Sequence, residues 1–323
     1  MGIGYSGAYS VPRADLGEAF LEYMWNPEDL IGMKLMPLLE VNRKEASFPK
    51  IRRESLLKTV DLKRAANGRY NRDSIEGEDD SYRCEEYGYE QPLDDSERRL
   101  YKNDFEAELQ ASQAAAHRLM LGHELRVRNA VVDTNAFTTG NGLRTDVGTA
   151  WSTVTADIIG DVLTACEAVR ARTGMQPNTF WVGAGGLPDL IRNTAIRQSI
   201  HFFAQPSYSA VQASLADLFG VKQVVIGKQV SNTANEGAAA TVTSAWIGTG
   251  AGSYAGVMVC PMGPSLRESG FGRSILWTDD SPDAVMVEEY REEQTRSTIY
   301  RARHNIDEKV FDTSFAQLLD IAA

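Results

Sequence analysis

From about Ser96 to Asp133 the apolar residues recur at helical spacing. Tyr101, Phe105, Leu109, Ala116, Leu119, Val127 and Ala130 fall on one stripe of a 3.6-residue wheel. Leu100, Ala107, Ala111, Ala114, Leu121, Leu125 and Val132 form a second stripe, roughly opposite the first. Gly122 is the sole break in the run, which holds no proline. Asp94, Asp95 and Ser96 offer N-cap oxygens, and Glu97 suits the positive end of the helix dipole. The pattern predicts a helix over about 50 Å long, beyond the ordinary globular length. Two opposed apolar stripes further predict a spine, with one layer packed above it and another below.

The rest of the chain changes period several times. Residues 1–36 form an arm with scattered large apolar side chains (Phe20, Tyr23, Trp25, Leu30, Ile31), broken at Asn26-Pro27. A segment so short and apolar is expected to lie on another surface. After the spine, Asp157 to Arg172 reads as a helix with Gly174 as its stop. A strand is expected at Thr179 to Val182, then helices from Leu187 and over Ser209 to Phe219. Further strands are expected at Val224 to Ile226, around Ala245 to Ile247 and at Gly256 to Val259, with Ser231 to Ser244 as an exposed hairpin or loop. In the tail, Val285, Val287 and Ser297 to Ile306 read as strands joined by the charged link Glu288 to Arg296.

Charge alters the picture most between Pro37 and Leu93. From Arg43 to Arg72 ten bases face three acids, whereas from Asp73 to Glu97 eleven acids face the single base Arg83. The flanks carry strand patterns, Ala46, Phe48 and Ile51 on one and Tyr82, Cys84, Tyr87 and Tyr89 on the other. This predicts a long two-stranded excursion with a basic rising arm and an acidic falling arm, marginal by itself. One use for it is a flap docked on a neighbouring subunit, where opposite charges set register; the plainer one is a solvated insertion.

The net charge of −11 argues against a protein that grips nucleic acid as its main task. No apolar run reaches the roughly 18 residues of a membrane helix, and Met1 to Ser10 lacks the form of a signal peptide. Cys84, Cys166 and Cys260 are widely spaced, against a disulfide framework or zinc cluster. Gly183 to Gly186 lies between a strand and a helix but is not GxGxxG, and no Lys-Ser or Lys-Thr follows, so it reads as a tight turn. His123-Glu124 begins like a zincin helix, but Val127 stands where the second histidine belongs. His201, Ser207 and Ser209 are close in sequence without a GxSxG. His117 and His304 read as structural or surface histidines. No catalytic residue, cofactor site or metal site is expected.

The succession of arm, charged excursion, spine, α/β block and terminal strands resembles the major capsid protein of tailed double-stranded-DNA bacteriophages, the Hong Kong 97-like fold. YRCEEYGYEQPLDDSE (Tyr82 to Glu97) is similar to the falling arm of that family's extended loop. RTGMQPNTFWVG with LPDLIRN (Arg172 to Asn193) is similar to the opening of its axial domain. The resemblance implies an α+β chain. Residues 1–36 would be the N-terminal arm, 37–93 the extended loop and 94–150 the peripheral domain with its spine. Residues 151–277 would be the axial domain, and 278–323 a return to peripheral strands. It implies a non-enzymatic subunit that assembles into pentamers and hexamers of an icosahedral virion shell in the host cytoplasm. That shell would enclose double-stranded DNA without sequence-specific binding or a membrane. Its other partners would be a separate scaffolding protein, a portal and, in some members, a decoration protein. The family's loop-lysine-to-asparagine crosslink would need Lys58 or Lys63 and Asn305, but no local motif matches. Two alternatives stay open: an encapsulin-type nanocompartment shell, and a soluble α/β enzyme or binding protein built on Thr155 to Val259.

Overall fold

The computed structural model describes residues 11–12, 30–51, 57–59, 61–64, 68–70, 72, 74, 77–96, 104–200, 208–235, 237–246 and 254–322. The order is β1 (Val11–Pro12), α1 (Gly32–Leu35), β2 (Leu38–Val41), β3 (Glu45–Ile51), β4 (Gly77–Arg83), β5 (Glu85–Asp94) and the spine α2 (Asp104–Val131). There follow β6 (Arg144–Asp146), α3 (Ile158–Thr173), β7 (Thr179–Gly183), α4 (Leu187–Arg192), α5 (Thr194–Ser199) and α6 (Tyr208–Phe219). The chain ends with β8 (Gln223–Gly227), β9 (Val230–Asn232), β10 (Val242–Ser244), β11 (Tyr254–Met258), β12 (Gly272–Trp277), β13 (Met286–Glu292), β14 (Ser297–Val310) and β15 (Ala316–Asp320).

Two sheets organise these elements. The first has the order β1-β13-β14-β12-β2, with β5 also paired to β14. β14, 14 residues long, is its axis: β13 and then β12 pair antiparallel with successive parts of it, and β5 pairs with Ser297 to Ile306. The second sheet runs β6-β15-β11-β7-β8. β12, from the end of the α/β block, therefore pairs in the first sheet, and the C-terminal β15 pairs in the second. β3 and β4 form a separate two-stranded ribbon, Lys50 opposite Glu78 and Glu45 opposite Arg83.

Local chemistry accounts for both ends of α3. Asp157 caps α3, its side chain accepting from the Gly160 N–H at 3.0 Å. Gly174 closes the helix in the left-handed region (φ 72°), its N–H bonded to the Arg170 carbonyl, a conformation that costs glycine no Cβ clash. Asp94 accepts from the Ser96 N–H at 2.6 Å, as an N-cap does, while Asp95 instead makes a bidentate pair with Arg291. Residues 97–103, including Leu100 and Tyr101 of the expected stripes, lie outside the described residues.

The spine departs from the sequence pattern in one respect. Among its described side chains those buried are Ala111, Ser112, Ala115, Ala116, Leu119, Met120, His123, Glu124, Val127 and Val131, a single broad stripe. Leu121 and Leu125, from the second expected stripe, are only half-buried. The alanines explain this, because a face of small side chains lets the helix lie close on β14 and β5. Apolar residues off that face remain at its margin.

Two strand expectations also shift. Ala245 and Trp246 form a turn after β10 rather than a strand, and Ile247 lies outside the described residues. Trp246 is drawn inward instead: its ring lies 5.5 Å from that of Trp181, in a hollow where a Cβ on Gly227 would approach within 2.4 Å. The charged run from Glu288 was expected to be a link, yet β13 extends through Glu292 because arginines of β14 neutralise it. Arg303 meets Glu288 at 2.9 Å and Arg301 meets it at 3.5 Å.

Candidate assembly surfaces and the spine junction

The charged excursion is anchored at its base, and several of its described apolar side chains beyond that base are exposed. Tyr82, Cys84 and Ile275 form a small core, to which Phe48 and Phe311 add a T-shaped ring pair 5.8 Å apart. Lys309 pairs with Asp80 at 2.7 Å, the Lys50 ammonium donates to the Phe311 carbonyl, and the Arg83 N–H donates to Asp307 at 3.0 Å. Past this base the described apolar side chains face outward: Ile51 is 52% exposed, Leu62 89% and Tyr70 69%. Ile51 is one residue out of phase with Ala46 and Phe48, so the pleat turns it away from them. Leu57, also exposed, lies beside Gly174 at the end of α3.

The acidic strip around β13 is partly used within the chain. Arg303 engages Asp280 at 2.6 Å, Arg291 engages Glu293 at 3.4 Å and Arg301 engages Glu90 at 2.7 Å. Asp279 and Asp283 remain exposed. Asn305 is buried, and its amide donates to Asp280.

The spine carries polar chemistry that the sequence reading set aside. Glu124 is 1% exposed, and its carboxylate accepts three donors. These are the N–H of Ile31 at 2.9 Å, the N–H of Gly32 at 2.7 Å and the indole N–H of Trp246 at 2.6 Å. Burial pushes this carboxyl above its ordinary range, while the three donors pull it back. A Cβ on Gly32 would sit 2.6 Å from the carboxylate, so the arm can approach only as glycine. One side chain thus joins the arm, the spine and the turn that follows β10.

Next to it, His123 is buried and shares a hydrogen bond of 3.0 Å with the Ser274 hydroxyl. Arg126 donates to Glu308 at 2.9 Å and lies over the Tyr87 ring at 3.6 Å. His304 is fully buried beneath them. The signal for this cluster was present: His123 and Glu124 fall inside the apolar stripe. What sequence could not supply was the donors, which lie 92 to 151 residues away along the chain.

The other sequence candidates do not converge. Ala184–Gly186 is a short 3-10 turn into α4, and a Cβ on Gly186 would meet Val182 at 2.6 Å, so close packing explains the glycine there. His117 is exposed on the spine and Ser209 exposed at the start of α6; His201 and Ser207 lie outside the described residues. Among the described residues no three His, Cys, Asp or Glu side chains could hold a metal ion, and no helix is long and apolar enough to cross a membrane.

No family model matches the chain. Over 204 residues it is 26% identical to the major capsid protein of Burkholderia phage BcepMu, a match spanning 62% of this chain and 64% of that protein. A phage-related protein of Bordetella bronchiseptica superposes with a TM-score of 0.70 at 18% identity, covering 97% of this chain and 98% of that one. The capsid of Cyanophage P-SCSP1u superposes with a TM-score of 0.59 at 13% identity, covering 99% and 92%. The fold is α+β and Hong Kong 97-like, that of tailed-phage capsid proteins.

Proposed function

We propose that this chain is the major coat subunit of a tailed-phage head, self-assembling into pentamers and hexamers of an icosahedral shell around double-stranded DNA. The observation that carries the reading is agreement with a phage capsid fold over 99% of this chain, joined to sequence similarity with a phage major capsid protein. In this reading the first sheet and the spine form the peripheral domain, the second sheet with α3 to α6 the axial domain and the β3–β4 ribbon the extended loop, which moves β12 from the expected axial block to the peripheral one and β6 and β15 the other way. The role is structural. Each contact is weak, but every subunit makes many, so closure is cooperative. A net charge of −11 suits a wall past which DNA must slide. A separate scaffold and a portal are the further partners, joined in some members of that family by a decoration protein, with assembly in the host cytoplasm.

Electron microscopy of the expressed chain tests this directly. Closed shells are expected; a monodisperse monomer or small oligomer on gel filtration would favour the soluble α/β alternative. Particles holding DNA or a portal support the phage reading, and particles holding a protein cargo the nanocompartment one.

Two variants probe the parts. Arg52 and Arg53, outside the described residues, belong to the basic arm, whose partner would be the exposed Asp279 and Asp283 of a neighbour. Reversing both charges to Glu should block assembly at low salt, with partial recovery as salt screens the repulsion; shells forming normally at low salt would remove the loop's charge from the mechanism. Gly122 is the candidate bend point of the spine, and a Cβ there meets only Arg126, at 3.5 Å. Gly122→Ala should therefore stiffen the helix by up to about 1 kcal/mol without a clash. If precursor-to-mature change and final shell diameter are the same in this variant, Gly122 is no hinge.

A further inference from the structure

The two neighbours of His304 force one protonation state on it. Its Nδ1 lies 3.0 Å from the Ala284 carbonyl oxygen, which can only accept, so Nδ1 carries the proton. Its Nε2 lies 3.1 Å from Nη2 of Arg126, which can only donate, so Nε2 must be bare. The ring is therefore neutral, and it links β14 to the spine helix through Arg126. A second proton would have to sit on Nε2, pointing at a guanidinium. Arg126 cannot turn away cheaply, since Nε is bonded to Glu308 and its plane is stacked on Tyr87.

We propose that His304 is an acid-sensitive lock, holding the spine helix on β14 while neutral and releasing it when protonated. Every group facing it is consistent with this. The spine presents Arg126 and His123, whose ring lies 6.2 Å away; β5 presents Tyr87 at 6.0 Å, with Glu85 on its phenol. β14 itself presents Glu308, with Asp307 next to it; β12 presents only the Ser274 hydroxyl, bonded to His123. Glu308, the acid that meets Arg126 and lies 3.7 Å from His123, is already committed to Arg126 at 2.9 Å. Burial, aided by Arg126, holds His304 down to about 4, while the Ala284 bond works the other way. The sign follows: an unfolded or released histidine takes up its proton near 6.5, the seated one does not. The stabilisation is complete above about 6.5 and is lost as pH falls towards about 4. This lock does not depend on the coat-protein reading.

The test uses the full chain. Equilibrium urea unfolding between pH 7.5 and 4.5 should show a midpoint that falls with acid. In His304→Asn the amide nitrogen replaces Nδ1–H towards Ala284 but cannot titrate. Its midpoint should fall less with acid than that of wild type, the remainder coming from His123, which burial also holds neutral, with proton uptake on unfolding smaller by about one. Should that variant fail to fold, nitrogen NMR of the wild-type imidazoles reads the same point. Nε2 of His304 should be unprotonated at pH 7 and titrate below 5, and amide exchange in the spine between His123 and Val131 should rise as it does. A His304 that titrates near 6.5, or a His304→Asn variant with the full acid dependence of wild type, would overturn the proposal.

Discussion

Glu124→Ala is expected to lower the stability of the folded chain by roughly 3–6 kcal/mol, counting about 1–3 kcal/mol for each buried donor left without an acceptor and some rescue by water. Three donors depend on this carboxylate, two from the start of α1 and one from the Trp246 indole. Removing it also opens a gap between Gly32 and the spine where the arm now packs. Glu124→Gln keeps one acceptor oxygen but turns an NH2 against a donor, so a smaller loss of about 1–3 kcal/mol is expected. Denaturant unfolding followed by tryptophan fluorescence measures both, since Trp246 lies at the junction and Trp181 against it. A loss below about 1 kcal/mol for the alanine variant would mean that water replaces the carboxylate freely and that the junction does not hold the arm.

Under the coat-subunit proposal, Leu62→Ser combined with Tyr70→Ser is expected to abolish shells while leaving the subunit as stable as wild type. Both side chains are already in water in the single chain, at 89% and 69% exposure, so their removal should move its thermal midpoint little. Docked on a neighbour, each would contribute on the order of 1.5–3 kcal/mol by burial. That loss recurs at every copy of the contact, which is why a modest local change should stop closure altogether. Sedimentation and microscopy read the shells, and thermal unfolding of the dissociated subunit reads the fold. Shells of normal yield from a normally folded variant would show that the apolar tip of the loop takes no part in the contact.

Much of this chain could be read before any coordinates, and the readable parts share a cause. α3 was legible because its cap, its apolar spacing and its Gly174 stop all lie within eighteen consecutive residues. The β3–β4 excursion was legible because the reversal from basic to acidic marks a chain going out and coming back. The spine was legible as a helix for the same reason, since helical spacing is a property of neighbours. The order of these parts was enough to suggest the fold class.

The sequence by itself therefore determined the local elements, their order and the division of charge along the loop. Tertiary structure alone decided which strands joined which sheet, with β12 pairing beside β14 and the C-terminal β15 entering the second sheet. It also decided which face of the spine is buried within the chain, and that Glu124 and His304 are held inside by partners distant in sequence. The physical reason is the same in each case. An apolar strand pattern carries no label for its partner, and a glutamate on a helix looks solvated until its donors arrive from 92 to 122 residues away.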